Sequence, residues 1–163
     1  MGSEECPFLK RRKLMKLSTK GRYGLKAMLD LALHNSEGQV VLRSIAERQG
    51  ISENYLEQLF AVLKKAKLVK SLRGSQGGYT LGASADKISV GDILRALEGS
   101  FAPVECVAED HPAFCSRFDC CVTKGIWEKI RDSINTVVDS TSLESLVEEY
   151  RKCPNGDNYI YYI

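Results

Sequence analysis

The sequence contains no apolar run approaching the ~20 residues that cross a bilayer. Its basic N-terminal residues are not followed by an apolar segment, so neither a membrane span nor a secretory signal is expected, and the cytoplasm is the expected compartment. No CxxC pair, phosphate-cradling glycine loop or Ser/His/Asp set is present, which argues against an enzyme, including a thiol oxidoreductase. Internal repeats and low-complexity stretches are also missing. So is bulk charge: 23 Lys and Arg stand against 21 Asp and Glu, a net of +2, which excludes a chain that coats nucleic acid by charge alone.

What is present is an uneven distribution. Residues 15–85 carry 11 basic and 5 acidic side chains, a net of +6. Residues 86–163 carry 8 basic and 14 acidic, a net of −6. The remaining +2 belongs to residues 1–14, which show no helical or strand period and are read as an N-terminal extension outside the fold. A polyanion partner is therefore expected for the first half.

The patterning predicts a mainly α chain. Ser18 or Thr19 caps a first helix to about Asn35, with Tyr23, Ala27, Leu29, Leu31, Ala32 and Leu33 as its apolar face. A second helix covers about Leu42–Gln49, and Gly50-Ile51 is the turn. Ser52 caps a third helix to about Ala66, with Leu56, Leu59, Phe60 and Leu63 at steps of three and four. Leu68–Leu72 and Tyr79–Leu81 alternate around a glycine-rich tip, as a hairpin does. Three helices and a hairpin wing make a winged helix-turn-helix over 15–85. In the second half, Ser89 and Asp92 form a capping box, a long helix runs from about Thr123 to Ser140, and Thr141 with Glu144 opens a last helix. The tail Tyr159–Ile163 is too apolar to be left free.

A recognition helix offers polar groups from its first turns to a major groove about 12 Å wide. Ser52, Glu53, Asn54, Tyr55, Glu57 and Gln58 occupy those turns. Asn and Gln pair with adenine and Glu accepts from cytosine. Lys20, Arg22, Lys64, Lys65, Lys67 and Lys70 are the expected phosphate contacts, and Arg73 at the wing tip suits a narrow minor groove. Taken singly, each of these is an ordinary solvated side chain. Their combination is what points to double-stranded DNA.

Three segments carry a resemblance: Met15–Met28, Ile51–Phe60 and Val69–Tyr79 look like the Rrf-two family of bacterial transcription regulators. The resemblance runs from Met15 to nearly the end. It implies a homodimeric, repressor-type, winged-helix protein that binds an operator. It also implies that the helix at 124–140 forms the dimer seam, that Ser52, Asn54, Tyr55 and Glu57 face bases, and that Arg73 enters the minor groove. The apolar stripe Ile126, Ile130, Ile134 and Val138, with Trp127, is alternatively core within one subunit.

Four of the six cysteines, Cys106, Cys115, Cys120 and Cys121, lie in one unpatterned stretch. Their spacing disfavours a structural zinc knuckle. Three readings stay open: an iron–sulfur cluster, a thiol–disulfide switch, and packed thiols. Cys121-Val-Thr-Lys124 followed by Ile126-Trp127 resembles the cluster regulators of the family. That resemblance makes Cys106, Cys115 and Cys121 the ligands of a two-iron or four-iron cluster, with Lys124 where those regulators have histidine. A fourth ligand then comes from Cys120, His111, a partner chain or a small thiol. Leu97–Glu105, Asp139–Glu144 and the aromatic tail instead resemble the family's cysteine-metabolism repressors, which imply no cofactor and control through O-acetylserine sulfhydrylase. His34, at a helix end, reads as a dipole-favoured surface residue. Cys6 and Cys153 have no assigned partner.

Overall fold

The structure is a computed structural model that describes residues 18–74, 77–109 and 115–153. The extension 1–14, Cys6, His111 and the aromatic tail fall outside the described residues. Six α-helices and one two-stranded antiparallel hairpin are described.

Helix α1 (Thr19–His34) starts where Ser18 Oγ accepts from the Lys20 N–H. Helix α2 (Leu42–Gln49) ends on Gly50 in the left-handed region, φ 62°. That turn lets α3 (Glu53–Lys65) begin three residues later under the Ser52 cap. Strands β1 (Val69–Leu72) and β2 (Gly78–Leu81) pair with Val69 opposite Leu81 and Leu72 opposite Gly78. Helix α4 (Val90–Glu98) carries the reciprocal Ser89/Asp92 capping box. Helices α5 (Lys124–Ser140) and α6 (Leu143–Lys152) close the described chain.

The main core gathers Ala27, Met28 and Leu31 of α1, Ile45 of α2, and Leu56, Leu59, Phe60 and Leu63 of α3. Ile88, Ile93, Leu97 and Leu143 join the same cluster, so apolar packing runs on past Ala85. Tyr79 of β2 meets Phe60 edge-on at 4.8 Å, which fastens the hairpin to α3.

Two expectations need correction. Ala27 and Leu31 lie in the core and Tyr23, Leu29 and Ala32 pack half-buried against it as expected, but Leu33 is not part of it and Gly21, Gly24, Met28 and Asp30 are buried as well. The face is wider than the apolar residues because α1 must lie close on α4. A Cβ at Gly24 would overlap Leu97 Cδ1, and one at Gly21 would sit 3.0 Å from Glu98 Oε1. The cap of α6 is Ser142, not Thr141 with Glu144. Thr141 is held extended because its carbonyl accepts from the Val90 N–H at 2.9 Å, while its hydroxyl donates back to Val137 O at 2.9 Å. The Ser142 hydroxyl is then the one placed to accept from the Ser145 N–H.

A buried carboxylate fixes α1 against α2. Asp30 is 2 % exposed. Arg48 reaches it with Nη2 at 2.6 Å and Nε at 3.0 and 3.1 Å, and Gln49 Nε2 adds a bond at 2.8 Å. His34 lies beside it, its Nδ1 at 2.8 Å from Asp30 O. Glu98 fixes α1 against α4: its carboxylate accepts from the Gly21 N–H at 2.8 Å and from the Ser18 hydroxyl. The first turn of α1 has no acidic residue of its own, so α4 supplies the negative charge that this helix end favours.

Candidate functional site

The side chains expected to read DNA lie on the start of α3 and at the hairpin. Ser52, Glu53, Asn54, Glu57 and Gln58 are all exposed on the first turns of α3. Ser52 also serves as the cap, its Oγ accepting from the Tyr55 N–H at 3.3 Å. Tyr55 is half-buried, its ring edge-on to Tyr23 at 6.1 Å. Its aromatic body braces α3 on α1, a role that apolar periodicity did not separate from base contact. Arg73 is exposed at the end of β1, and Lys20 and Arg22 are exposed on the first turn of α1. The Lys64 ammonium donates to the Ser71 hydroxyl, joining the last turn of α3 to the hairpin.

The second group of candidates lies in the stretch between α4 and α5. Cys106 lies in the short 3-10 turn Glu105–Val107, and Cys115 precedes the 3-10 turn Phe118–Cys120. Cys121 is three residues before α5. These three thiols are half-buried, and Cys120 and Cys153 are exposed. All five are free thiols. The Cys121 thiol is held below the usual cysteine range, because the Thr123 hydroxyl at 3.3 Å and the N–H groups of Thr123 and Lys124 stabilise its thiolate, and the Lys124 charge adds to this.

Soft thiolates suit an iron–sulfur cluster, and three of them here are partly open to solvent. In donor chemistry they fit such a group. Lys124 does not extend the set: its ammonium sits 3.4 Å from the Phe118 ring centroid and 3.7 Å from Glu128. Among the described residues no three His, Cys, Asp or Glu side chains come together as a metal site.

Sequence reasoning missed the polar network that ties this loop to the rest of the chain. Arg131 of α5 donates to Val107 O at 2.8 Å, one residue from Cys106, and lies 4.0 Å from Glu109. Glu109 accepts from the Asn135 amide, and Asn135 Oδ1 in turn accepts from Arg95 Nη2 at 2.9 Å. Arg95 of α4 grips Asp139 with two bonds of 2.7 Å. That fork holds the Asp139 carboxyl below the usual range, the Arg95 hydrogen bond being the largest cause. Gly91 makes the approach possible, since a Cβ there would overlap Asp139 Oδ1. The one usable sequence signal was the step of four between Arg131, Asn135 and Asp139 on a single helix face.

No residue of α5 is buried. Ile134 and Val138 pack beside Val90, Leu94 and Phe101, whereas Ile126 and Val137 remain 51 % and 65 % exposed. The apolar stripe is thus divided between packing within the chain and an open face. No helix among the described residues is long and apolar enough to cross a membrane.

A helix-turn-helix with an arginine-bearing hairpin wing, followed by a long exposed helix, defines a winged-helix transcriptional regulator. The family model described as "Iron-dependent Transcriptional regulator" matches residues 17–149, and the chain belongs to this family, Rrf2. It is 48% identical over 132 residues to the HTH-type transcriptional regulator CymR of Bacillus subtilis, covering 81% of this chain and 89% of that one. It is 41% identical over 155 residues to the regulator IscR of Xenorhabdus nematophila, covering 87% and 93%. The solved structure of T. potens IscR superposes with a TM-score of 0.68 at 49% identity, covering 91% of this chain and 97% of that one. These relatives are named as regulators and not as enzymes, and DNA is the partner of such a protein.

Proposed function

We propose that this chain is a homodimeric, repressor-type regulator whose grip on its operator follows the state of the cysteine loop, with Cys106, Cys115 and Cys121 as ligands of an iron–sulfur cluster. The observation that carries this reading is that the three thiols lie in the one stretch between α4 and α5, and the network from Arg131 to Arg95 ties that stretch to both helices. A cluster, when bound, supplies a group that is gained, lost or oxidised with iron and redox status.

The chain's own residues supply the rest. Arg131 holds the Cys106 turn on α5, Asn135 and Asp139 hold α5 on Arg95, and Glu98, in the same last turn of α4 as Arg95, holds the first turn of α1. A change in the loop therefore bears on the stance of α5 against α4, and through α4 on the DNA-binding core. If the open face of α5 is the dimer seam, that stance sets the spacing of two recognition helices. Half-sites about one helical turn apart demand that spacing. Base reading falls to Ser52, Asn54, Glu57 and Gln58 with Arg73 in the minor groove, while Lys20 and Arg22 contact phosphates.

A second reading is favoured by a specific observation, the 48% identity to CymR. In it the protein is a cofactor-free repressor of sulfur metabolism, controlled by a partner such as O-acetylserine sulfhydrylase. Anaerobic purification separates the two. A coloured protein with iron and sulfide in stoichiometric amounts supports the cluster. A colourless, iron-free protein that binds its operator fully sinks it.

A further inference from the structure

Between the last turn of α3 and the base of the hairpin lies a cavity of about 450 Å³, lined by Lys64, Lys67, Val69, Lys70, Ser71 and Gly82. Three ammonium-bearing side chains border it and no carboxylate does. Its geometry is set by backbone. Lys67 adopts a left-handed conformation, φ 62°. Gly82 lies so close that a Cβ there would overlap the Lys67 carbonyl, and its N–H donates to Leu68 O at 2.8 Å. Lys64 spans the cavity by donating to the Ser71 hydroxyl. Concentrated positive charge without a counter-charge, beside a hydroxyl and on a fixed floor, is chemistry for a phosphate group.

Its place in the fold says which phosphate. Glu57, Ala61 and Lys64 follow one another at helical spacing on the exposed side of α3, so Lys64 continues the face that begins with the base-reading residues. Arg73 lies two residues beyond Ser71, towards the hairpin tip. A protein with α3 in a major groove and its wing in the adjacent minor groove straddles the one sugar-phosphate strand between those grooves. The cavity lies between the two elements that do the straddling.

We propose that the Lys64–Lys67–Lys70–Ser71 cavity is a clamp for a single phosphate of the DNA strand that separates the groove read by α3 from the groove met by Arg73. This rests on the DNA-binding reading above and deepens it. The lysines act on one phosphate in each half-site, which fixes register, and not as a diffuse positive surface.

The test uses a duplex enriched by the full-length protein from a random library. If no duplex is enriched, the DNA-binding reading itself has failed. With an enriched duplex in hand, each phosphate near one half-site is replaced in turn by a neutral methylphosphonate. Binding is measured for the wild-type protein and for Lys64→Gln/Lys70→Gln, both sites being exposed. The clamp predicts one position per half-site where neutralisation weakens wild-type binding about tenfold, the weight of a charge-assisted hydrogen bond, and weakens the variant less than about twofold. A scan that is flat, or equal in the two proteins at every position, overturns the proposal. Inorganic pyrophosphate titrated into DNA-free protein tests the other source of the same chemistry. Lysine-dependent pyrophosphate binding with a flat scan makes the cavity a site for a free phosphate compound and overturns its assignment to the DNA strand.

Discussion

The Asp30–Arg48 pair gives the sharpest stability prediction, because one partner is buried and the other is not. Arg48→Met keeps the length of the side chain and removes the guanidinium, leaving the Asp30 carboxylate 2 % exposed without its main cation. Breaking a fully buried pair costs about 3–5 kcal/mol. Here the Arg48 side chain is 36% exposed, so water already shares its end of the pair, and Gln49 Nε2 stays at 2.8 Å from the carboxylate. Both facts lower the figure to about 2 kcal/mol. For a chain of this size that is a fall in Tm of about 4–8 °C. Urea unfolding at fixed protomer concentration measures it, with an unchanged slope showing that compactness is preserved. Asp30→Asn in the Arg48→Met background restores at least half the loss, since a neutral amide leaves no buried charge. A single-mutant change under about 0.5 kcal/mol, the range of ordinary surface substitutions, refutes the reasoning.

Gly24→Ala forces a methyl into Leu97 and costs about 1–3 kcal/mol, as overpacking does; Leu97→Ala in the same chain relieves part of it in a double-mutant cycle. Ile126→Glu with Val137→Glu alters the two most exposed apolar positions of α5, so size-exclusion chromatography with light scattering should find a folded monomer, and an unchanged dimer removes α5 from the seam. Asp139 has a lowered pKa in the folded chain, so its contribution to stability is whole above the ordinary aspartate value of about 4 and is lost as pH falls through the lower folded value. Wild type and Asp139→Asn should therefore differ in urea midpoint at neutral pH and converge in acid.

Local rules carried the sequence reading far. Ser18, Ser52 and Ser89 cap the helices they were expected to cap, and Leu56, Leu59, Phe60 and Leu63 form the inner face of α3, because those signals act within one turn. What stayed hidden depends on contacts distant in sequence. Asp30 reads as an outward polar residue until Arg48 and Gln49 are brought to it. Gly21, Gly24 and Gly91 read as weak points in helices until Glu98, Leu97 and Asp139 occupy the space that they leave. Thr141 loses the expected cap position to Ser142 because the bond from Val90 N–H to Thr141 O holds it extended. The exposed side chains proposed to meet DNA could be picked out singly because they lie on one helix face and one hairpin, where local spacing alone decides which way a residue points. The thiols were legible as a group, while their link to α4 through Arg131, Asn135 and Arg95 needed the packed helices.

In the proposed reading the cysteine loop governs DNA binding. Its most direct test is operator affinity, measured anaerobically by fluorescence anisotropy, for wild-type protein and for the variant with Cys106, Cys115 and Cys121 all changed to alanine. The two affinities are expected to differ by about tenfold or more, on the order of 1.4 kcal/mol of coupling between loop and operator. Equal affinities for one operator, with both proteins folded and dimeric, would contradict it.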